Sequence, residues 1–287
     1  MHGKIYAAVL LSLGIVLAGC SAEKKTYAMT PEGNAQYLTD NKAKDGVKTT
    51  PSGLQYRVIA AGNGKSPASP TDMVTVTYKG QLIDGTVFDE TPSGATAHFP
   101  AGNLIPGWVE ALKMMKEGDE WELTIPSDLA YGPDGAGGGK IPPSATLIFR
   151  MKLIKVLTAE DSAKYLTENK AKPDVKTTAS GLQYRVITTG NGKSPTNPTD
   201  MVTVTYKGWT VDGHVFDQTQ PGDTAEFPAG RLIPGWVEAL KMMKEGDEWE
   251  LTIPADLAYG DNSPSPEIPP GAALVFNMKL ISVKPAG

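Results

Sequence analysis

Leu104-Ile105-Pro106-Gly107-Trp108-Val109-Glu110-Ala111-Leu112 returns, residue for residue, as Leu232-Ile233-Pro234-Gly235-Trp236-Val237-Glu238-Ala239-Leu240. The offset of 128 residues (104 to 232) holds outward in both directions. Val74 to Gly80 recurs as Val202 to Gly208, and Asp128-Leu129-Ala130-Tyr131-Gly132 as Asp256 to Gly260. Between 35–132 and 163–260, about four positions in five are identical, and such self-similarity is the first property to interpret. The period is too long for a solenoid, whose repeats run to tens of residues. Each copy is long enough to bury its own core, so the 287-residue chain reads as two copies of one domain.

Within each copy the pattern is mostly β. Leu54, Tyr56 and Val58 alternate with Gln55 and Arg57, and Val74, Val76 and Tyr78 with Thr75 and Thr77. Asp84-Gly85 before Val87-Phe88 marks a tight hairpin. Trp121, Leu123 and Ile125 alternate with charged and polar neighbours, and Leu147, Phe149, Met151 and Leu153 close the copy. One short helix is expected over about 107–116, with Trp108, Leu112 and Met115 on one face and Gly118 just beyond. A further helix of about three turns leads each copy. Thr30-Pro31-Glu32 supplies a cap and a proline at the first helical position, and Thr158 with Glu160 and Asp161 starts its counterpart. The expected fold class is α+β: in each copy, a twisted antiparallel sheet wrapped around one short helix and preceded by another. Trp121 and Trp249 read as packing residues, and the Met114-Met115 and Met242-Met243 pairs as core filler.

The N-terminus carries its own signal. A basic start at Lys4 leads into an apolar run from Ile5 to Leu17, too short to span a bilayer as a helix, and then Leu17-Ala18-Gly19-Cys20. That tetrad resembles the bacterial lipoprotein lipobox, which implies an export signal over 1–19 and acylation of Cys20. A tether over 20–33 and domains over 34–156 and 157–287 would follow. Cys20 is the only cysteine, so both domains must be stable without a disulfide. Several acyl chains would hold the protein firmly on a membrane. Ser21 after the lipid site points to the outer membrane, facing the periplasm or, alternatively, the cell surface. A net charge of −5 with no basic stripe argues against nucleic acid as a partner.

Seven elements, in order and twice over, identify a family. Tyr78-x-Gly80, Asp84-Gly85 with Phe88-Asp89, Phe99-Pro100, Ile105-Pro106-Gly107-Trp108, Ala130-Tyr131-Gly132, Ile141-Pro142-Pro143 and Thr146-Leu147-Ile148-Phe149 resemble the FKBP-type peptidyl-prolyl cis-trans isomerases. The resemblance covers about 53–156 and 181–284. Lys48 to Tyr56 and its copy are similar to the exported bacterial branch, near the macrophage infectivity potentiator proteins. Those proteins carry a long dimerisation helix; the short helix here leads to the expectation of a monomer.

The resemblance implies a site in each copy. Tyr78, Phe88, Asp89, Ile105, Trp108 and Tyr131 would act on the substrate, with Phe99, Leu104, Ile141 and Phe149 completing the pocket. The second copy would use Tyr206, Phe216, Asp217, Ile233, Trp236 and Tyr259, with Phe227, Leu232, Ile268 and Phe276. The chemistry suits these residue types. An X–Pro bond turns slowly because amide resonance sets a barrier of about 18–20 kcal/mol. The planar amide is more charge-separated than the twisted one, so an apolar slot with a few fixed donors favours the twisted form. No cofactor, metal or nucleophile is required. Expected ligands are proline-containing polypeptides and macrolide immunophilin ligands.

Two departures bear on this. The family often places an Arg after Phe-Asp to hold the carboxylate, and neither 91–94 nor 219–222 contains one. The loop before Ile-Pro-Pro is Gly-rich and cationic over Pro133–Lys140 but Pro-rich and acidic over Asp261–Glu267, which predicts different substrate preferences. Two functions therefore stand open from sequence: a two-site isomerase for exported proteins, or a bivalent scaffold that binds proline segments with little turnover. Gly135 to Lys140 fails as a phosphate loop because Ile141 stands where Ser or Thr is needed. His98 and His214 occupy unmatched positions, which argues against a zinc or triad site.

Overall fold

The computed structural model describes residues 25–286, so the export signal, Cys20 and the first part of the tether lie outside it. The first copy comprises α1 (Pro31–Lys42), β1 (Lys48–Thr49), β2 (Gln55–Ala60), β3 (Met73–Leu82), β4 (Val87–Glu90), β5 (Ala97–Pro100), α2 (Pro106–Met114), β6 (Glu120–Ile125) and β7 (Leu147–Leu157). The second repeats the order as α3 (Ala159–Lys170), β8 (Lys176–Thr177), β9 (Gln183–Thr188), β10 (Met201–Thr210), β11 (Val215–Gln218), β12 (Ala225–Pro228), α4 (Pro234–Met242), β13 (Glu248–Ile253) and β14 (Leu274–Lys284). Each copy is one antiparallel sheet, ordered β1-β2-β6-β7-β3-β4 in the first, with β5 also paired to β3. The expected α+β class and two-domain organisation are present.

The ten-residue β3 organises the site. Along one edge it pairs with β7 throughout, from Met73↔Leu157 to Leu82↔Leu147. Its other edge is shared: Met73 to Val76 face β5, and Lys79 to Gln81 face β4. Tyr78 stands at the fork where these two short strands part. Between them the chain is tied back to Tyr78, whose carbonyl accepts the Thr91 N–H at 3.0 Å and whose N–H donates to Thr91 Oγ1 at 3.1 Å.

Helix α2 lies across the sheet. Pro106 takes the first helical position, where a missing N–H costs nothing. Trp108, Ala111 and Leu112 are buried with Met115 just past the helix, among Leu54, Val74, Leu123, Ile125, Leu147 and Leu153. Gly107 lets the helix approach this closely: a Cβ there would sit 2.5 Å from Ile125 Cγ2. Met115 and Met243 are core residues as expected, whereas Met114 and Met242 face solvent. Trp121 and Trp249 are buried and stack on Tyr56 and Tyr184 at 4.5 and 4.6 Å.

The leading helices are docked parts of the domains. Thr30 caps α1 by accepting the Gly33 N–H at 3.2 Å. The buried residues of α1 are Asn34 and Asn41. Asn34 Oδ1 accepts the Thr146 N–H at 2.8 Å, and Asn41 Nδ2 donates to Gln55 Oε1 and Thr124 Oγ1 at 2.8 and 3.1 Å. Gln55 Nε2 returns a bond to the Leu38 carbonyl at 2.9 Å. In α3, Ser162 and Asn169 make the corresponding contacts with Ala273, Gln183 and Thr252. A helix with so little apolar surface docks through amide hydrogen bonds across the interface, while the Oδ1 atoms of Asn41 and Asn169 are buried without a partner.

Candidate functional site

Trp108 forms the floor of a cavity of about 360 Å³ in the first copy, 4% exposed and ringed by aromatic side chains. Tyr78, Phe149 and Phe99 stand edge-on to the indole, with centroids 5.0, 5.1 and 6.2 Å away. Phe88 leans edge-on against Phe149 at 5.5 Å. Such T-shaped contacts are favourable and fix each ring in place. Gly80 makes this possible, since it pairs with Phe149 and Asp89 on either side, and a Cβ there would lie 2.7 Å from both the Phe149 and Phe88 rings. The remaining wall is Asp89, Asn103, Leu104, Ile105 and Tyr131.

The polar end of the cavity is organised by one bond. Tyr78 Oη donates to Asp89 Oδ2 at 2.6 Å, the short distance of a charge-assisted hydrogen bond. Burial of the ring, together with that carboxylate, pushes the Tyr78 hydroxyl well above the usual phenol range. No Arg stands after Phe-Asp, and the tyrosine at the strand fork restrains the carboxylate. Tyr131, 42% exposed at the rim, presents a second hydroxyl. Among the described residues, the Ile105 and Ile233 N–H groups donate to no backbone acceptor.

The second copy repeats this geometry in a cavity of about 320 Å³ lined by Tyr206, Phe216, Asp217, Phe227, Arg231, Leu232, Ile233, Trp236, Tyr259 and Phe276. Tyr206 Oη donates to Asp217 Oδ2 at 2.6 Å; burial and then that hydrogen bond raise Tyr206, and burial followed by the Asp217 charge raises Tyr259. The structure thus gathers nine sequence-predicted residues in each pocket. Ile141 and Ile268, at 6% and 5% exposure, pack into the two cores. Ile141 is held there by its antiparallel bridge to Ala136. Asn103 and Arg231 were missed, although a mismatch immediately before an otherwise identical Leu-Ile-Pro-Gly-Trp was a visible signal.

His98 and His214, discounted because their positions do not match, are neighbours after all. Their rings stack with centroids 3.7 Å apart, joining β5 of the first copy to the β10–β11 turn of the second. Beside them Lys155 Nζ donates to the Asp212 carbonyl at 3.1 Å. Burial, and then the second ring, lower the His98 pKa below its ordinary value. Among the described residues no group of three His, Cys, Asp or Glu side chains could hold a metal ion.

A family profile described as "FKBP-type peptidyl-prolyl cis-trans isomerase" matches residues 64–154 and 192–281. A second, "Domain amino terminal to FKBP-type peptidyl-prolyl isomerase", matches 19–58 and 152–186. The FKBP-type 22 kDa peptidyl-prolyl cis-trans isomerase of Escherichia coli is 53% identical over 131 residues, 45% of this chain and 62% of that protein. The outer membrane protein MIP of Legionella longbeachae is 49% identical over 147 residues, 50% of this chain and 62% of that protein. The crystal structure of FkpA from Escherichia coli is similar with a TM-score of 0.42 and 40% identity, covering 45% of this chain and 60% of the other. The chain thus spans about three fifths of the length of these relatives.

Proposed function

The chain belongs to the family of FKBP-type peptidyl-prolyl cis-trans isomerases, and from that premise we propose that both copies turn X–Pro bonds in exported polypeptides whose folding waits on them. The observation that carries this reading is the Tyr–Asp pair over an edge-on aromatic cage, present in both copies with the same 2.6 Å bond. The proline ring would enter the cage above Trp108 or Trp236. The Ile105 or Ile233 N–H and the Tyr131 or Tyr259 hydroxyl would hold substrate carbonyls. The restrained carboxylate of Asp89 or Asp217 would face the amide as it leaves planarity. Each contact fits the twisted amide better than the planar one, and only that difference lowers the barrier. A macrolide immunophilin ligand would occupy the same cage.

Acylation at Cys20 would place the two domains at the outer membrane, most simply facing the periplasm, with 34–156 and 157–287 as successive working units. The lipobox carries this part of the reading, and the name of the Legionella relative agrees with it. The scaffold alternative drew on the missing Arg; with Tyr78 and Tyr206 in that role, turnover is the better reading. The test is isomerisation of an X–Pro peptide series by the full chain and by a D89A/D217A variant. The variant should lose about tenfold or more in kcat/KM. Unchanged turnover would refute the reading, and tight peptide binding without any turnover would make the protein a bivalent scaffold.

A further inference from the structure

The two cavity walls can be compared residue by residue. Tyr78, Phe88, Asp89, Phe99, Leu104, Ile105, Trp108, Tyr131 and Phe149 each meet an identical partner in the other wall. The tenth position alone differs: Asn103 in the first copy, Arg231 in the second. Both side chains leave the same backbone turn, since the Asn103 N–H donates to the Pro100 carbonyl and the Arg231 N–H to the Pro228 carbonyl, each at 3.1 Å. Both residues are exposed. Among the described residues Arg231 enters no ion pair, and the other charge in its wall, Asp217, is engaged by Tyr206.

We infer that Arg231 sets the substrate class of the second pocket, which prefers proline segments bearing an acidic side chain beside the proline, while the first pocket is indifferent to that charge. This rests on the reading that both cavities receive proline segments. A guanidinium with no acid of its own offers a planar fork of donors to a carboxylate, and Asn103 offers no charge. The acidic loop of the second copy does not oppose this. Asp261 and Glu267 are absent from the wall, and Glu267 lies 4.0 Å from His214 Nε2. A solvent-exposed pair of this kind changes relative affinity by about two- to fivefold.

The test uses the full chain and two single exchanges, R231N and N103R. Each introduces a residue that the other copy already carries on the same turn. Kd and kcat/KM are measured at physiological ionic strength, which screens charges that do not touch the peptide. The peptides carry Glu or Lys, in turn, immediately before and immediately after a single proline. The Glu-over-Lys preference should rank N103R above wild type above R231N, with R231N close to no preference. An unchanged preference in both exchanges overturns the inference and leaves the isomerase reading intact. Absence of turnover with the ranking preserved in Kd supports the inference and overturns the isomerase reading.

Discussion

Replacing Tyr78 and Tyr206 together by Phe removes two hydroxyls and nothing else from the pockets. The rings stay, because their edge-on contacts with Trp108 and Trp236, 5.0 and 5.1 Å between centroids, do not involve oxygen. What disappears is the 2.6 Å bond to each carboxylate. A hydrogen bond to a charged group contributes about 1.5–3 kcal/mol, and the exposure of Asp89 and Asp217 places these at the lower end. If that restraint serves the twisted amide, about 1.5 kcal/mol is lost from its stabilisation, and kcat/KM falls about tenfold. A single variant, Y78F or Y206F, would still show about half of the activity, because an untouched second pocket keeps working. The assay is turnover of one X–Pro peptide by wild type, both singles and the double, with thermal unfolding confirming that the fold persists. Wild-type kcat/KM in the double variant would refute the role given to this bond, and with it the explanation for how the sites manage without an Arg.

Two further outcomes are expected. Asn41→Ala should destabilise the first copy by about 1–3 kcal/mol, because Gln55 and Thr124 lose a buried donor; a urea midpoint equal to wild type would show that α1 is not held by this amide. Stability should also fall in alkali. Burial raises Tyr37 to about 12 and lifts Tyr78 and Tyr206 above their ordinary value of 10.0. The unfolded phenols release protons first, so the native state is at full strength below about pH 10 and weakens as pH rises toward 12. Denaturant midpoints that stay level through that window would contradict the burial of these hydroxyls.

Much of the molecule was legible because it was written twice. The Phe-Asp, Ile-Pro-Gly-Trp and Ala-Tyr-Gly elements, their order and the alternation around them led to the two domains, the fold class and nine wall residues per pocket. Helix starts were equally local: Thr30-Pro31 and Thr158 mark caps that both form. That Ile141 is buried in the core cluster was not legible, because burial depends on strand packing that motif spacing does not record. How the leading helices dock was not legible, because Asn34 and Asn41 look like surface residues until Thr146, Gln55 and Thr124 arrive as their hydrogen-bond partners.

The sequence by itself therefore determined the repeat, the family and the set of side chains from which each pocket is made, since those follow from residue identity and short spacings. Tertiary structure alone decided how they are joined. The parting of β4 from β5 along β3 brings the Tyr78 hydroxyl to Asp89, and the turn after β5 puts Asn103, or Arg231 in the second copy, into the wall. The docking of a hairpin turn against β5 stacks His98 on His214. Each of these contacts joins groups set apart along the chain, and their geometry exists only once strand pairing has fixed the register between them.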